Sequence, residues 1–519
     1  MMKSPVETLP KTVFSAEQTR ELDRIAIQEY GIPGFELMRR AANFSLEQLL
    51  ATWPNTKMVI ALCGKGNNAG DAYLVAMLAK LKGLEAQCIH FVAPNTLSGD
   101  AKSAYEQCHE TEVHIAAYNY DTFRILLEKQ TSDCIIVDGL FGTGLNRDLD
   151  ANYADAIELS NTVRREKSNI HTISLDIPSG LSANTGRIFN ACIEADLTTT
   201  FIANKIGLMT GVGRHYSGQI AFHDLNLIEG IFSEVPSSLH LPKITELLEV
   251  LPAREQHTHK GKQGRALLVG GNKGFGGAIL IASQACARVG AGLTSVITHE
   301  DYLNSVILHQ PEVMAHTYNP IESNTLFEMA DVIAIGPGLG KDEWAERLLK
   351  RTLNENCFKV LDADALNILA ENPILIESLD TNTLITPHPG EAARLLDCST
   401  TDIEEDRIKA IKALRAKLNC HVTLKGSGTL ITHPNTDLIT VCRYGNPGMA
   451  AGGMGDALTG IAAALIAQTY QNQSSINDVI ELAVCLHSHA ADEEAAAHGE
   501  RGLLASDLAD RARHILNRK

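Results

Sequence analysis

The chain has 519 residues, more than one ordinary hydrophobic core can support, so we expect two or three domains. Acidic residues outnumber basic ones, 62 against 45, and the net charge of −17 argues against an electrostatic partnership with nucleic acid or an anionic membrane. The eleven cysteines are scattered singly, without a C-x-x-C pair, which excludes a zinc ribbon and favours a reducing cytoplasm over a disulfide framework.

The first ten residues contain Pro5, Glu7 and Pro10, where a signal peptide needs an unbroken apolar stretch. No uninterrupted apolar run reaches the roughly 18 residues of a membrane span. We therefore expect a cytoplasmic protein.

Helices and short apolar strands alternate through the first half of the chain. Ser15 to Gln18 reads as a capping box at the start of a helix, which Gly31 to Gly34 interrupts, and a second helix follows through Leu37 to Leu50. Apolar runs separated by helical stretches then predict a mostly parallel sheet. These runs are 58–63, 86–92, 134–138, 172–176 and 197–201.

A polar, proline-bearing stretch from Ser233 to Pro242 interrupts the alternation and is predicted to be the interdomain linker. The pattern then restarts, with a helix from Ala278 and a second set of strands. These strands are 265–270, 332–336, 360–362, 383–386 and 422–425. No repeat of solenoid period is present, so the sequence predicts two different α/β domains.

Three features of the first half fall at the carboxyl ends of predicted strands, where open parallel sheets bind ligands. They are 64–71, 138–148 and 176–180. Two of them are glycine loops that can hold phosphates, and strand-end carboxylates with a serine and an asparagine offer oxygen ligands for a monovalent or divalent cation. The alternative is a plain dinucleotide-fold module with solvated loops, although the first loop lacks the G-x-G-x-x-G spacing.

These motifs resemble the N-terminal domain of the bifunctional NAD(P)H-hydrate repair enzymes, a Rossmann-like α/β/α domain that interconverts the R and S forms of hydrated NADH and NADPH. The resemblance assigns residues 1–235 to this epimerase domain. It implies a potassium ion held by Asn68, Asp138 and Ser179. It also implies contacts to the hydrated nucleotide from Asn67, Asn68, Ala69, Gly70, Asp71, Gly142, Thr143, Gly144, Leu145, Asn146, Arg147, Asp148 and Asp176.

The chain departs from this family at Ala69 and Ala72, where glycine is commoner. If either position requires a positive φ, alanine there costs about 1 kcal/mol or more. For catalysis we predict Asp176 as the proton-transferring carboxylate. Lys205 is a weaker second candidate, with an exposed structural lysine as the alternative.

The most distinctive segment of the second half is Asn446 to Gly460, which is dense in glycine and runs through Asp456 into a small-residue helix. Glycines let the backbone approach a ligand, and a helix N-terminus favours anions, so the segment predicts a phosphate site with its own base. A simple helix cap is the alternative role of Asp456.

Other loops of this half offer similar chemistry. The loop from Lys425 to Thr429 can grip phosphate, although a hairpin turn would have the same composition. His388 lies between two prolines, which would fix its imidazole toward a site. His487 and His489 lack carboxylate or cysteine partners at ligand spacing, so an ordinary helix face is favoured over a metal site.

This half resembles the dehydratase domain of the same family, which has a ribokinase-like α/β fold, and the resemblance covers residues 236–519. The motifs that carry the resemblance lie at 260–264, 270–272, 336–340, 386–391, 425–429 and 446–456. It implies contacts to the hydrated nucleotide from Ala278, Gly338, His388 and Asp456, with Asp456 catalytic. It implies ADP with Mg²⁺ held by Lys425, Gly426, Ser427, Gly428, Thr429 and Gly455.

Dehydration of a hydrated nicotinamide has a poor leaving group, hydroxide, and phosphorylation of that hydroxyl would make the leaving group phosphate. The function that the resemblance implies is repair of hydrated NADH and NADPH, with epimerisation in the first domain, ADP-dependent dehydration of the S form in the second, and AMP and phosphate as products. A homo-oligomer is expected. Two alternatives remain open at this stage, a vitamin-precursor kinase with an N-terminal regulatory domain and a non-catalytic N-terminal scaffold.

Overall fold

The computed structural model describes residues 9–470 and 474–518. Residues 1–8, which carry most of the signal-peptide argument, lie outside the described residues. The chain divides into two compact units, Met1–Leu239 and His240–Lys519. The division falls within the stretch predicted as a linker.

The first unit alternates strands and helices. Its strands are β1 Thr12–Phe14, β2 Met58–Cys63, β3 Glu85–His90, β4 His114–Ala117, β5 Cys134–Gly139, β6 Ile170–Leu175, β7 Leu197–Phe201, β8 Asn204–Lys205, β9 Gln219–His223 and β10 Leu239–His240, the last spanning the division. Its helices are α1 Ala16–Gln28, α2 Gly34–Thr52, α3 Asn67–Leu81, α4 Gly99–Glu110, α5 Tyr120–Glu128, α6 Ala151–Glu166, α7 Ile206–Met209, α8 Gly213–Tyr216 and α9 Glu229–Glu234, with a 3₁₀ turn at Pro94–Thr96.

Seven of these strands form one parallel sheet in the order β4-β3-β2-β5-β6-β7-β9. The central strands are apolar along their whole length because both faces of the sheet are covered. Alternate side chains of β5 enter different hydrophobic clusters, with Ile135 and Val137 in one and Cys134 and Ile136 in the other. The predicted three-layer α/β/α arrangement is confirmed.

The capping box predicted at Ser15 is present. The Gln18 backbone N–H donates to Ser15 Oγ at 3.2 Å, and the Ser15 N–H donates to Gln18 Oε1 at 2.9 Å. These two bonds satisfy otherwise unpaired donors at the start of α1. They also fix the entry of a helix whose inner face carries Leu22 and Ile25 into the core.

The second unit is also an α/β structure. Its strands are β11 Arg265–Val269, β12 Leu293–Ile297, β13 Met314–His316, β14 Val332–Ile335, β15 Phe358–Leu361, β16 Thr383–Ile385, β17 His421–Leu424, β18 Leu430–Thr432 and β19 Ile439–Val441. Its helices are α10 Ile244–Leu247, α11 Gly276–Val289, α12 Leu303–His309, α13 Asn324–Glu328, α14 Glu343–Leu353, α15 Ala363–Glu371, α16 Pro389–Leu396, α17 Thr400–Glu405, α18 Arg407–Leu418, α19 Met454–Thr469, α20 Ile476–His498 and α21 Ala505–Leu516. Short 3₁₀ segments are Leu248–Val250, Lys260–Gln263, Glu300–Tyr302, Pro373–Ser378 and Pro447–Met449.

In this unit the strands from β13 to β17 are parallel in the order β13-β12-β11-β14-β15-β16-β17, and β18 and β19 continue the sheet antiparallel. Helices α11 and α19 pack tightly on it through small residues. A Cβ built at Gly460 would lie 2.1 Å from the Ala282 carbonyl oxygen, so only glycine permits this approach. The packing holds the N-terminus of α19 rigidly at the carboxyl edge of the sheet.

Among the described residues, no helix combines the length and the apolar character that crossing a membrane would require.

Two candidate active sites

A cavity of about 740 Å³ lies at the carboxyl edge of the first unit's sheet. It brings together side chains from α1, the start of α3 and the loops after β5 and β6, as expected for an open parallel sheet. Of the residues predicted to contact the nucleotide, those that line it are Asn67, Asn68, Asp71, Gly142, Thr143, Gly144, Leu145, Asn146, Arg147 and Asp176. The predicted residues Ala69, Gly70 and Asp148 do not line it.

The three predicted potassium ligands lie together beside this cavity. The Asp138 carboxylate accepts hydrogen bonds from Ser174 Oγ at 2.8 Å, from the Ser179 N–H at 2.8 Å and from Ser179 Oγ at 2.5 Å. Burial raises the pKa of Asp138 and outweighs these hydrogen bonds. Asn68 Nδ2 donates to the Phe141 carbonyl at 2.8 Å, whereas the buried Asn68 Oδ1 has no hydrogen-bond partner in the structure. An unsatisfied buried carbonyl oxygen costs about 1–3 kcal/mol and fits a cation ligand.

Asp176 lies at the end of β6 in the left-handed region, with φ of 67°. This conformation is uncommon for a residue other than glycine, although aspartate tolerates it better than most. Its carboxylate forms a short ion pair with Lys205 Nζ. Lys205 is fully buried and Asp176 is 19% exposed, so the pair presents its carboxylate to the cavity. The alternative of an exposed structural lysine at position 205 is wrong, and the catalytic roles of Asp176 and Lys205 stay predictions.

The two alanines that depart from the family pattern cause no strain. Ala69 and Ala72 lie in α3 without positive φ, and both are fully buried. Ala72 faces Gly139, where a built Cβ would lie 2.4 Å from the Ala72 Cβ. The absent side chain at Gly139 therefore makes room for the alanine.

The second site is organised around a buried ion pair that sequence reasoning did not single out. Lys425 Nζ, at the end of β17, lies 2.6 Å from Asp362 Oδ1, at the end of β15. Thr386 Oγ1 and Thr459 Oγ1 donate to the same carboxylate at 2.8 and 2.9 Å. Burial alone would raise the pKa of Asp362, but the ion pair with Lys425 and these hydrogen bonds outweigh it and lower the pKa.

Asp456 lies in the first turn of α19, next to this pair. The helix N-cap is Gly453, with φ of 87°, and no side chain caps the helix. The alternative role of Asp456 as a helix cap is therefore wrong. Burial, and then the charge of Asp362, raise the pKa of Asp456 to about 7, although Lys425 opposes the shift. A carboxyl with a pKa near neutral pH is suited to proton transfer.

Gly455 provides the open space between these groups. A Cβ built there would lie 3.3 Å from Lys425 Nζ and 3.4 Å from Asp362 Oδ2. Glycine therefore keeps the ammonium accessible at the N-terminus of α19, where the helix dipole adds positive potential. The arrangement suits a phosphate group.

His388 caps α16 and does not stand free. Its Nδ1 accepts from the Gly390 N–H at 3.0 Å, and its Nε2 lies 3.2 Å from Glu391 Oε1. Glu391 in turn lies 4.0 Å from Lys425 Nζ. Burial raises the pKa of Glu391 to about 7. The sequence indicated the stiff histidine but not this second near-neutral carboxyl.

A buried arginine supports the predicted nucleotide loop from below. Arg407 Nη2 donates to the carbonyls of Leu424 and Lys425 at 3.2 and 3.0 Å. A Cβ built at Gly426, where φ is 137°, would lie 2.8 Å from Arg407 Nη1. Arg407 thus holds these two carbonyls inward, at the start of the loop that ends at Thr429.

Of the remaining predicted residues, Ala278 lies in the first turn of α11, Gly338 follows β14 and Asn446 follows β19. A Cβ built at Gly338 would lie 3.2 Å from the Ala278 Cβ, so these two positions are neighbours. Asn446 is anchored by a bond from its Nδ2 to Asp492 Oδ1 at 2.9 Å. His487 and His489 lie in α20, and the described residues contain no group of three or more His, Cys, Asp or Glu that could hold a metal ion.

Comparisons with known proteins place this chain among relatives of full length. A family model described as NAD(P)H-hydrate dehydratase matches residues 266–514, and one described as YjeF-related protein N-terminus matches residues 34–207. A bifunctional NAD(P)H-hydrate repair enzyme of Vibrio cholerae is 40% identical over 516 residues, covering 98% of this chain and 99% of that protein. The enzyme of the same name in Coxiella burnetii is 39% identical over 506 residues, covering 97% and 99%.

A solved structure of a Bacillus subtilis ADP/ATP-dependent NAD(P)H-hydrate dehydratase, co-crystallised with ATP and Mg²⁺, is 26% identical. It covers 53% of this chain and 96% of that chain, with a TM-score of 0.45. The two full-length relatives are each well above 30% identity and match both units of this chain. The chain therefore belongs to the family of bifunctional NAD(P)H-hydrate repair enzymes.

Proposed function

We propose that this protein repairs hydrated NADH and NADPH, with an epimerase in residues 1–235 and a dehydratase in residues 236–519. The observation that carries the proposal is that the full-length likeness to repair enzymes spans two units, each with its own ion-paired aspartate at a strand end. Epimerisation makes both forms of the hydrate available to a dehydratase that accepts only the S form.

In the second unit, Asp456 is the group that takes the proton from the substrate hydroxyl during phosphorylation by ADP. Lys425 and the N–H groups at the start of α19 stabilise charge on the transferred phosphoryl group. Loss of phosphate then restores the dihydronicotinamide ring and leaves AMP. The near-neutral pKa of Asp456 and the accessible ammonium of Lys425 support these roles.

Magnesium usually binds through nucleotide phosphates and one or two carboxylates, so it needs no dedicated cluster of acids. The ion would therefore be held mainly by the phosphates of ADP, at Lys425 to Thr429 and Gly455. When bound, the ion would neutralise phosphate charge. We assign the nucleotide to Lys425 through Thr429 and Gly455, and the hydrated substrate to Ala278, Gly338, His388 and Asp456.

In the first unit, a potassium ion fits Asn68, Asp138 and Ser179, because Asn68 Oδ1 is buried without a partner. The ion would supply a fixed positive charge at the strand ends. Asp176 is the proton-transferring group, and its carboxylate is held in place by Lys205. The cytoplasmic location and homo-oligomeric state stay predictions.

The experiment that tests this function is incubation of the purified protein with ADP and a mixture of the R and S hydrates of NADH. Recovery of the reduced-ring absorbance from the whole mixture is expected, because the epimerase converts the R form. Recovery limited to the S fraction would contradict the epimerase assignment. A stable phosphorylated product, or no recovery, would support the kinase alternative and contradict repair.

A further inference from the structure

We propose that Asp71 is a second catalytic carboxyl of the first unit, which donates the proton to the departing hydroxyl while the Asp176–Lys205 pair accepts one. The inference rests on the proposed epimerase function and adds the acid that inversion of the hydrate requires. One cavity contains both an ion-paired aspartate, Asp176, and an aspartate, Asp71, that has no hydrogen-bond or ion-pair partner among the described residues.

The proton donors of Lys205 are all in use. An ammonium group has three hydrogens, and Lys205 Nζ donates to Asp176 Oδ1, to Thr200 Oγ1 at 2.9 Å and to the Phe201 carbonyl at 2.9 Å. The lysine therefore has no hydrogen free for a leaving group. Asp176, which accepts one of these hydrogen bonds, is placed to accept a proton from the substrate side, so another group must act as the acid.

Asp71 is the group in the cavity that fits this role. It lies in α3, is only 9% exposed and lines the cavity. No described residue forms a hydrogen bond or an ion pair with its carboxyl group. Burial, followed by the charges of Asp176 and Asp23, raises the pKa of Asp71 well above its usual range, and Lys205 opposes the shift only in part.

The other charged groups around the cavity do not supply a partner for Asp71. Asp23 comes from α1 and Asp100 from α4, and burial raises the pKa of Asp23 as well. The remaining charged groups that line the cavity are Arg20, Arg24, Lys65 and Arg147. Arg24 forms ion pairs with Glu21 and Glu29, and neither of these glutamates lines the cavity.

The chemistry of the hydrate explains why acid and base are both needed. Water adds to a dihydronicotinamide at the carbon next to the ring nitrogen, because the nitrogen lone pair stabilises positive charge there. In the reverse direction the carbon–oxygen bond breaks, its electron pair stays on oxygen, and Asp71 adds the proton that makes the leaving group water. The nitrogen lone pair forms the new carbon–nitrogen π bond, so the ring becomes a cation without any oxidation or reduction.

Inversion is completed from the other face. A water molecule forms the new carbon–oxygen bond, the π electrons return to nitrogen, and the surplus proton passes to Asp176. The two carboxyls exchange roles in the opposite direction of the reaction. The intermediate is cationic, and the carboxylate left on Asp71 after it donates its proton lies in the same cavity, where it can stabilise that charge.

The test is the rate of R to S interconversion by Asp71→Asn, followed by NMR. General acid catalysis contributes about 10²- to 10⁴-fold, so we expect kcat to fall by that factor with little change in KM. The loss of rate at high pH, caused by ionisation of Asp71, should disappear from the profile of the variant. Asp71→Glu should recover part of the rate, and Asp121→Asn, at an exposed position of α5, should stay within about twofold of the unchanged protein.

Calorimetric unfolding of the same preparation, compared with that of the unchanged protein, reports whether the first unit of Asp71→Asn is folded. If the unchanged protein interconverts the epimers and Asp71→Asn does so at a similar rate with the same high-pH limb, the inference is wrong and the proposed function stands. If the unchanged protein does not interconvert them, the proposed function itself fails.

A second measurement tests the bond that breaks. Interconversion in H₂¹⁸O should place one ¹⁸O in the hydrate at each inversion, after correction for exchange without protein. Inversion with complete retention of ¹⁶O would mean that the ring opens at nitrogen instead, and would overturn the proposed step.

Discussion

The two sites use the same pair of side chains in opposite orientation. In the first unit Lys205 is fully buried and Asp176, 19% exposed, faces the cavity. In the second unit Asp362 is 2% exposed and Lys425, at 20%, is the accessible partner. The first pair therefore presents a carboxylate to its ligand, which suits proton transfer, and the second presents an ammonium, which suits phosphate.

Near each pair, at the start of a helix, lies an aspartate that forms no ion pair with any described residue, Asp71 in α3 and Asp456 in α19. Burial raises the pKa of both. The ion pair thus sets the charge that the ligand meets, while the unpaired carboxyl stays available to exchange a proton. The backbone is strained beside both pairs, at Asp176 with φ of 67° and at Ala363 with φ of 46°.

The largest effect is expected from a substitution that lowers the rate of dehydration and leaves the rate of epimerisation unchanged. Asp456→Asn should lower the rate of dehydration by about 10²- to 10⁴-fold, because it removes the base. Epimerisation should be unchanged, since it takes place in the other unit. Both rates are measured on one preparation, by reduced-ring absorbance and by NMR, and a parallel loss of the two would contradict the division of labour.

Because the two pairs face opposite ways, the variant that loses more free energy of unfolding should be the aspartate variant in the first unit and the lysine variant in the second. Removal of the accessible partner leaves a buried charge alone, which costs about 3–5 kcal/mol. Asp176→Asn should therefore destabilise the first unit more than Lys205→Met does, and Lys425→Met should destabilise the second more than Asp362→Asn does. Calorimetric unfolding of the four variants measures this, and the same order of costs in both units would contradict the comparison.

The pKa of about 7 at Asp456 predicts a pH dependence in the second unit. Ionised Asp456 is required as the base, so dehydration should fall as pH decreases through about 7, and Asp456→Asn should lack this limb. The folded pKa lies above the usual value, so the folded state binds the extra proton and loses stability as pH rises from about 4 to 7.

Asp456→Asn should consequently be more stable than the unchanged protein at pH 8, by between about 1 and 4 kcal/mol, because each pKa unit corresponds to about 1.4 kcal/mol. The difference should vanish near pH 4. Burial also raises the pKa of Glu391 to about 7, so this residue adds to the loss of stability with rising pH in both proteins. Its contribution cancels when the free energies of unfolding of the two proteins are subtracted. An unfolding series in urea across pH tests this, and a variant less stable at pH 8 would contradict it.

The smallest effect concerns the space around Lys425. Gly455→Ala places a methyl group 3.3 Å from Lys425 Nζ without backbone strain, and we expect KM for ADP to rise by about tenfold, near 1.4 kcal/mol. Gly452→Ala is the matched change, because nothing lies within 4 Å of a Cβ built there. Gly452→Ala should raise KM for ADP clearly less than Gly455→Ala does. Equal increases would show that Gly455 does not act by keeping the Lys425 ammonium accessible.

The sequence predicted the central strands of both sheets because fully buried parallel strands are continuous apolar runs, as at Met58–Cys63 and Val332–Ile335. Edge strands were missed. His114–Ala117 and Met314–His316 are short and partly exposed, so they have no apolar run to distinguish them from a loop. Leu293–Ile297, between two strands, was also missed, since Thr294 and Ser295 interrupt its apolar pattern.

The sequence by itself determined the two α/β domains, the strand-end loops and the choice of Asp176 and Asp456 as candidate catalytic residues, because these follow from local patterns and motif spacing. Only the tertiary structure decided their partners. Lys205 meets Asp176 across 29 residues, and Lys425 meets Asp362 across 63. Parallel sheets bring such distant strand ends to one edge, and burial there then decides which partner of each pair faces the ligand.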